Sequence, residues 1–361
     1  MKLKEPIPVT VLTGFLGAGK TTLLNNLLSQ AHGHKCAIII NEFGEISIDN
    51  ELVVGVDEEI VELNNGCLCC RVRGDLVKSL ASLFQKKKRF DYVLIETTGL
   101  AHPGPVAQTF GMPDLAGTLR LDAIVTVVDA KHLDKELADA PEAKTQIAFA
   151  DVILLNKTDL VRTDELSRIE SRIQRMNPLA KIHRTQRAQL DVTKIFNIKA
   201  RDLTAPLSLP GLQDREENAG HAPQDRPDDH HSHEEHDESD HSAPHEHDDH
   251  FHDESVTSFY LREERPLDLK KVEAWLGDVI NTLGPNIYRS KGILNIQGQP
   301  KRVVFQGVQM MFDAAPERFW NDNEKRQSRL VFIGKELDRA KIREGFEACI
   351  APEQGLESKA G

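Results

Sequence analysis

Three of the chain's five cysteines lie within four positions, in the stretch "GCLCC" at residues 66–70. Cys67, Cys69 and Cys70 would supply three thiolates, which Zn²⁺ prefers in tetrahedral sets of four. The sequence has no second C-x-x-C pair to complete such a set. The fourth ligand must therefore be another side chain, water or a partner. An incomplete ligand set favours transfer of a metal over a permanent structural site.

The residues after the cysteines support this interpretation. A helix is predicted over residues 71–84, and its N-terminus, together with Arg71 and Arg73, would lower the pKa of the thiols and favour thiolate. A redox site and buried structural thiols remain as alternatives. Cys36 and Cys349 lie in other segments and are interpreted as core cysteines.

A glycine-rich segment, "GFLGAGKTT" at residues 14–22, matches the G-x-x-x-x-G-K-[ST] pattern of phosphate-binding loops. A predicted strand precedes it and a predicted helix follows it, as such loops require. Backbone N–H groups would surround the phosphates, Lys20 would contact the β- and γ-phosphates, and Thr21 would ligate Mg²⁺. The predicted nucleotide-binding residues of this loop are Gly14, Gly17, Ala18, Gly19, Lys20, Thr21 and Thr22.

Two further segments are candidates for switch loops that respond to the γ-phosphate. In "ETTG", Glu96 ends a predicted strand and could hold Mg²⁺ or its waters, and Gly99 could donate its N–H to the γ-phosphate. In "NEFGEISID", Glu42 could contact Mg²⁺ or a second metal, with a solvated loop as the alternative. His102 could be the missing metal ligand, although an ordinary loop histidine is the favoured interpretation. The predicted catalytic set is Lys20, Thr21, Glu96 and Gly99.

The stretch "LLNKTDL" supplies residues that could recognise guanine. The carboxylate of Asp159 can accept hydrogen bonds from the N1–H and 2-amino groups of guanine, a pair of donors that adenine lacks. Asn156 could brace the base and the phosphate loop, and the stem of Lys157 could cover the ring. Downstream of a phosphate-binding loop, this motif favours GTP over ATP.

Histidine and negative charge are concentrated in one segment. The formal net charge is −12, and residues 225–254 hold 13 acidic side chains against one basic one. Ten of the 15 histidines lie between His221 and His252. Imidazoles bind Zn²⁺, Ni²⁺ and Co²⁺, and neighbouring carboxylates would attract cations. A merely solubilising linker is the alternative, and nothing elsewhere resembles a basic nucleic-acid footprint.

Six short apolar runs must position these residues. They recur with helical patterns between them, which predicts an α/β fold with a doubly wound, mostly parallel sheet. They lie at residues 9–15, 36–42, 91–97, 123–130, 151–157 and 181–185.

Four segments are predicted along the chain. Residues 1–205 form a P-loop GTPase domain, 206–254 a disordered metal-binding linker, 255–350 a smaller α+β domain, and 351–361 a tail. No apolar run reaches the roughly 18–20 residues of a membrane span, and no signal peptide is recognised. We therefore expect a cytoplasmic protein that binds neither membrane nor nucleic acid.

Taken together, the phosphate loop, "NEFGE", "GCLCC", "ETTG" and "NKTD" closely resemble the CobW-type GTPases, over nearly the whole chain. The resemblance implies a GTPase domain whose C-x-C-C motif binds Zn²⁺ or a related metal. It also implies slow GTP hydrolysis, with Mg²⁺, that drives delivery of the metal to a client metalloprotein. By position, "NEFGE" makes Glu42 a switch or metal residue.

The resulting hypothesis is a GTP-gated metal carrier, with the cysteines between two switch segments in sequence. If a switch residue completes the metal site in one nucleotide state only, the affinities for GTP and metal must be coupled reciprocally. Cobalt delivery for cobalamin synthesis and a metal store with a regulatory nucleotide site are the rival hypotheses. Co²⁺ or Ni²⁺ could replace Zn²⁺, and the client and a homodimer are left open.

Deletion of residues 221–252 tests the assignment of the histidine-rich segment. We expect fewer bound metal ions per chain, because ten imidazoles are lost, and nearly unchanged GTP hydrolysis. Metal stoichiometry and steady-state hydrolysis of the deleted and full chains measure both effects. Loss of nucleotide binding on deletion would contradict the prediction that the segment is separate from the GTPase site.

Overall fold

Among the residues that the structure describes, seven strands form the sheet of the N-terminal part. The computed structural model describes residues 5–30, 33–41, 59–63, 77, 80, 90–200 and 256–352. The strands are β1 (Ile7–Gly14), β2 (Cys36–Asn41), β3 (Glu59–Leu63), β4 (Tyr92–Glu96), β5 (Leu119–Asp129), β6 (Val152–Asn156) and β7 (Lys181–Arg184). Each pairs with its neighbour in parallel, in the order β3-β2-β4-β1-β5-β6-β7.

Helices connect the strands and cover the sheet. They are α1 (Lys20–Ser29), α2 (Pro103–Thr109), α3 (Pro113–Ala116), α4 (Leu133–Asp139), α5 (Pro141–Phe149) and α6 (Thr163–Met176). Successive residues of β4 contribute to two different apolar clusters, with Val93 and Ile95 in one and Tyr92 and Leu94 in the other. The sheet is therefore buried on both faces, which explains the continuous apolar runs.

The C-terminal part is an antiparallel sheet with two helices. Its elements are β8 (Thr257–Glu263), α7 (Leu269–Leu283), β9 (Ile287–Leu294), β10 (Lys301–Val308), β11 (Met311–Phe319), β12 (Ser328–Gly334) and α8 (Arg339–Glu347). The strand order is β11-β10-β9-β12-β8. Side chains of α7 and α8, such as Trp275 and Phe346, pack on Phe332 of β12 in one apolar cluster. The predicted fold class, an α/β P-loop sheet with a smaller α+β domain, is confirmed.

Two strands, β3 and β11, were not predicted from the sequence. Each lies at the edge of its sheet, where fewer apolar residues are needed. β11 contains Pro316 and exposes Asp313, features that argue against a strand yet are tolerated at a sheet edge. Of the helix predicted over residues 71–84, Val77 and Leu80 are described, and both are helical. The predicted linker 206–254 lies outside the described residues.

The two sheets share an apolar core. Tyr288 of β9 and Ile333 of β12 belong to the cluster that contains Phe149 of α5. Beside them, the Arg289 guanidinium forms an ion pair with Asp151, and both side chains are almost fully buried. Breaking a buried pair leaves an uncompensated charge, so the contact fixes one arrangement of the two parts. No described helix is long and apolar enough to cross a membrane.

Asn177, just after α6, provides a test of how α5 is held. Its amide nitrogen donates to the carbonyls of Ile147, Ala148 and Ala150 at 2.7, 3.2 and 2.9 Å. We expect Asn177→Ala to lower the free energy of unfolding by about 2–4 kcal/mol, because buried carbonyls lose their donors.

Chemical denaturation of the full chain measures this effect. Asn281→Ala, at an exposed position of α7, is the control, and its change should stay within about 0.5 kcal/mol. Equal stabilities of the two variants would contradict the assignment.

Candidate functional site

The phosphate-binding loop connects β1 to α1 and lies at the carboxyl edge of the sheet. Gly19 caps α1 with a φ of +109°, a conformation that favours glycine. A Cβ atom at this position would lie 2.6 Å from Nδ2 of Asn156. The backbone conformation requires glycine here. So does the close approach of residues 156–159, the predicted base-binding loop.

Lys20 and Thr21, the first residues of α1, lie where the sequence predicted phosphate and Mg²⁺ contacts. The Lys20 ammonium is buried and donates to the carbonyl of Phe15, at 3.2 Å, within the same loop. The Thr21 hydroxyl donates to Oε1 of Glu96, at 2.9 Å. The start of α1 is thus joined to the carboxylate at the end of β4.

The oxygen atoms at this edge fit a Mg²⁺ ion. Thr21 and the buried Glu96 present a hydroxyl and a carboxylate side by side, and such hard oxygen ligands are those that Mg²⁺ prefers. Two other buried hydroxyls lie close in sequence, that of Thr13 just before the phosphate loop and that of Thr98 two residues after Glu96. Neither has a hydrogen-bond partner within the described part of the chain. Buried polar groups normally have partners, which a bound nucleotide, its metal or water would provide.

Asn156 ends β6 and connects three loops. Its amide nitrogen donates to the carbonyl of Ala18 at 2.9 Å. Its amide oxygen accepts from the backbone N–H of Ala188 at 2.8 Å and from the Thr185 hydroxyl at 3.2 Å. The phosphate loop, the base-binding loop and the loop after β7 are therefore held together by one buried side chain.

The remaining residues of the base-binding motif follow directly. Lys157 has a left-handed backbone with φ 60°, and Asp159 lies exposed in the turn that follows. The exposed carboxylate of Asp159 is accessible to a base, as its predicted role requires. Its recognition of guanine stays a prediction.

Asp129, the last residue of β5, contacts the predicted base-binding loop, a role that was not predicted from the sequence. It pairs in register with Asn156 on β6, and its Oδ2 accepts from Lys157 Nζ at 2.6 Å and from His132 Nδ1 at 2.9 Å. Burial alone would raise the pKa of Asp129, but these hydrogen bonds outweigh it and hold the pKa below its usual range. The sequence did contain a signal for Asp129, because it is an acidic residue at the end of an apolar run and the next run ends in N-K-x-D.

Glu136 on α4 is a second buried carboxyl group near this site. Burial, and then the negative charge of Asp129, raises its pKa to about 7, while His132, Lys157 and Lys20 act in the opposite direction. Glu136 therefore changes its protonation state near neutral pH.

The segment after β4 packs against the phosphate loop. A Cβ atom on Gly99 would lie 2.8 Å from the backbone nitrogen of Leu16, so glycine is needed for this close approach. On its other side, the buried amide of Gln146 on α5 donates to the carbonyls of Gly99 and Ala101. Gln146 was not identified from the sequence, because no local motif marks a contact across 47 residues.

His102 caps the N-terminus of α2. Its Nδ1 accepts from the backbone N–H of Gly104 at 3.1 Å, and burial lowers its pKa. The ring meets Phe149 and Tyr288 edge-on, with centroids 5.3 and 5.9 Å apart. In this arrangement His102 is a neutral capping residue, with the nitrogen that accepts from Gly104 turned to the backbone.

The predicted metal ligands Cys67, Cys69, Cys70 and Glu42 lie outside the described residues. Among the residues that the structure describes, no group of three or more histidine, cysteine or acidic side chains could hold a metal ion. Cys36 and Cys349 are free cysteines buried in the core, as the sequence predicted.

The raised pKa of Glu136 predicts a pH-dependent stability. The folded state binds this proton more tightly than the unfolded chain, so wild-type stability should fall as the pH rises from about 4.5 to about 7. Glu136→Gln removes the effect. The free energy of unfolding of Glu136→Gln, minus that of wild type, should be about 1–3 kcal/mol larger at pH 8 than at pH 5.

Thermal or chemical unfolding at the two pH values measures this difference. Asp139→Asn, an exposed substitution on the same helix, should show a much smaller pH-dependent difference from wild type. Parallel behaviour of the two variants would contradict the raised pKa.

Comparisons with known proteins agree with this geometry. Residues 8–184 match the family described as CobW/HypB/UreG, nucleotide-binding domain. Residues 256–350 match the Cobalamin synthesis protein cobW C-terminal domain. The chain is 34% identical to the zinc chaperone YjiA of Escherichia coli over 347 residues, covering 95% of this chain and 98% of that protein. It is 43% identical to the zinc-regulated GTPase metalloprotein activator 1 of Schizosaccharomyces pombe over 205 residues, covering 54% of this chain and 50% of that protein.

A solved structure extends the comparison. The crystal structure of the Zn(II)-bound YjiA GTPase from E. coli aligns with a TM-score of 0.70 and 28% identity, over 96% of this chain and 100% of that one. The phosphate loop at the end of β1, the base-binding motif at the end of β6 and the matching C-terminal domain lead to one conclusion. The chain belongs to the CobW/HypB/UreG family of P-loop GTPases that carry a CobW C-terminal domain.

Proposed function

We propose that this chain is a GTP-dependent metallochaperone. In this proposal Cys67, Cys69 and Cys70 hold Zn²⁺ as cargo, and GTP hydrolysis controls its transfer to a client metalloprotein. Glu42 is proposed as a switch or metal residue. The similarity to the zinc chaperone YjiA, which spans 95% of this chain, supports Zn²⁺ as the metal.

The observation that carries the proposal is the end of strand β3. Leu63 pairs with Asn41, and the preceding residue of β2 pairs with Glu96, so β3 and β4 end at the same edge of the sheet. Cys67 follows Leu63 by four residues, which span at most about 14 Å. Cys67 can therefore be no farther than about 14 Å from the end of β3, at the edge proposed to bind the nucleotide.

The proposed binding of GTP uses described residues. Lys20 would neutralise phosphate charge, and the loop from Gly14 to Thr22 would supply backbone N–H groups. Asp159 would accept both donors of the guanine edge, while Asn156 and Lys157 fix the loop that carries it. These contacts favour GTP, because adenine offers no equivalent donor pair.

Thr21 and Glu96 are the proposed residues that hold Mg²⁺. The bound ion would neutralise charge that develops on the β- and γ-phosphate oxygens during hydrolysis. The hydrogen bond between Thr21 and Glu96 holds the two proposed oxygen ligands next to each other. The Gly99 N–H is proposed to contact the γ-phosphate, which makes the segment after β4 sensitive to its loss.

Coupling between metal and nucleotide follows if a segment that contacts the γ-phosphate also affects the cysteine site. The coupling must then be reciprocal, so zinc would change the preference for GTP over GDP by the same factor. Typical coupling free energies correspond to about 5- to 150-fold changes in affinity.

Zinc affinity in two nucleotide states tests the proposal. We use the chain without residues 221–252, so that the histidine-rich segment does not contribute, and measure the zinc Kd by chelator competition. With a non-hydrolysable GTP analogue or with GDP bound, the values should differ by about 10-fold or more. Parallel titrations with Co²⁺ compare the two metals.

Two variants complete the experiment. Cys67/Cys69/Cys70→Ser should abolish this binding, whereas Cys36→Ala, which alters a cysteine buried in β2, should retain it. Equal zinc affinity in both nucleotide states would contradict the gated carrier. Tight zinc binding without any metal effect on GTP hydrolysis would instead indicate a metal store.

A further inference from the structure

The turn after β4 is held from two sides. On one side Gly99 packs against Leu16 of the phosphate loop, with no room for a Cβ atom. On the other side, the Gln146 amide nitrogen donates to Gly99 at 3.0 Å and to Ala101 at 3.1 Å. Gln146 is only 1% exposed, so these two hydrogen bonds form where water cannot replace them.

Gln146 is itself fixed to the central sheet. Its backbone carbonyl accepts from the Thr126 hydroxyl of β5 at 2.9 Å. A shift of the Gly99–Ala101 turn must therefore break the Gln146 hydrogen bonds or move helix α5. A side chain held in this way is suited to fixing the orientation of the peptide between Gly99 and Leu100, whose carbonyl accepts from it.

The C-terminal end of α5 is held by the other domain. The Phe149 ring stacks on Tyr288 of β9, with centroids 4.9 Å apart and an interplanar angle of 28°. Arg289 forms its buried ion pair with Asp151, two residues after α5, and extends its second nitrogen toward the Phe149 carbonyl at 3.5 Å. Gln146 and Phe149, which are three residues apart on α5, thus connect the turn near the phosphate loop to the C-terminal sheet.

We propose that Gln146 is a positioning residue of GTP hydrolysis and that the C-terminal domain contributes to the reaction by holding its helix through Tyr288. The Gln146 amide holds the carbonyls of Gly99 and Ala101 and thereby restricts the backbone of the turn that carries the Gly99 N–H. The inference rests on the proposed role of Gly99 at the γ-phosphate and is independent of zinc transfer.

Gln146→Met tests the first part. Methionine retains the length and volume but cannot donate a hydrogen bond. In the full chain we expect kcat for GTP to fall by about 10- to 100-fold, as small misplacements of catalytic groups can cause. The Kd for GDP should stay within about twofold of wild type, because GDP lacks the phosphate that Gly99 would contact, while binding of a non-hydrolysable GTP analogue weakens.

Tyr288→Leu tests the contribution of the C-terminal domain. It should lower kcat by about threefold to tenfold, less than Gln146→Met does, since the partner ring of Phe149 is lost while Gln146 is intact. Tyr288→Phe keeps the ring and should retain wild-type kcat. Phe312→Leu, which removes an aromatic contact with Phe305 inside the C-terminal domain, is the matched control and should leave kcat unchanged.

The outcomes separate the possible failures. Wild-type kcat in Gln146→Met, or equal weakening of GDP and GTP-analogue binding, would overturn the positioning role. Equal effects of Tyr288→Leu and Phe312→Leu would overturn the contribution of the C-terminal domain. A wild-type chain that hydrolyses GTP but transfers no zinc would contradict the proposed chaperone function without affecting this inference.

Discussion

The nucleotide site depends on the buried side-chain amide of Asn156. This amide donates to the phosphate loop at Ala18 and accepts from Thr185 and Ala188 after β7. Each of these groups would cost about 1–3 kcal/mol if it were buried without a partner, so the three loops keep one arrangement. The same close approach explains why Gly19 has no room for a side chain.

A second buried amide, that of Gln146, acts on the opposite side of the site. Asn156 fixes the loops proposed to bind phosphate and base, whereas Gln146 holds the turn proposed to contact the γ-phosphate. Both amides are almost fully buried, so the hydrogen bonds of each form where water cannot replace them. The Phe149–Tyr288 stack extends this second side to the C-terminal domain.

Much of the fold could be predicted because buried parallel strands produce continuous apolar runs, and the motifs follow the ends of those runs. The phosphate loop after β1, Glu96 at the end of β4 and Asn156 at the end of β6 all lie where the sequence predicted. Edge strands lacked that signal. Gln146 acts through a contact between distant segments that no local pattern encodes, whereas Asp129 could have been found from its place at the end of an apolar run. The predicted metal ligands Cys67, Cys69 and Cys70 lie outside the described residues.

If Gln146 and Tyr288 couple the Gly99 turn to the C-terminal domain through helix α5, as proposed, the nucleotide state should also affect that domain. Amide hydrogen exchange of the full chain, compared between GDP and a non-hydrolysable GTP analogue, measures this effect. We expect changed protection after β4, along α5 (Pro141–Phe149) and in β9 (Ile287–Leu294), with little change in the edge strand β11 (Met311–Phe319). Changes confined to the phosphate and base-binding loops, with identical exchange in α5 and β9, would contradict it.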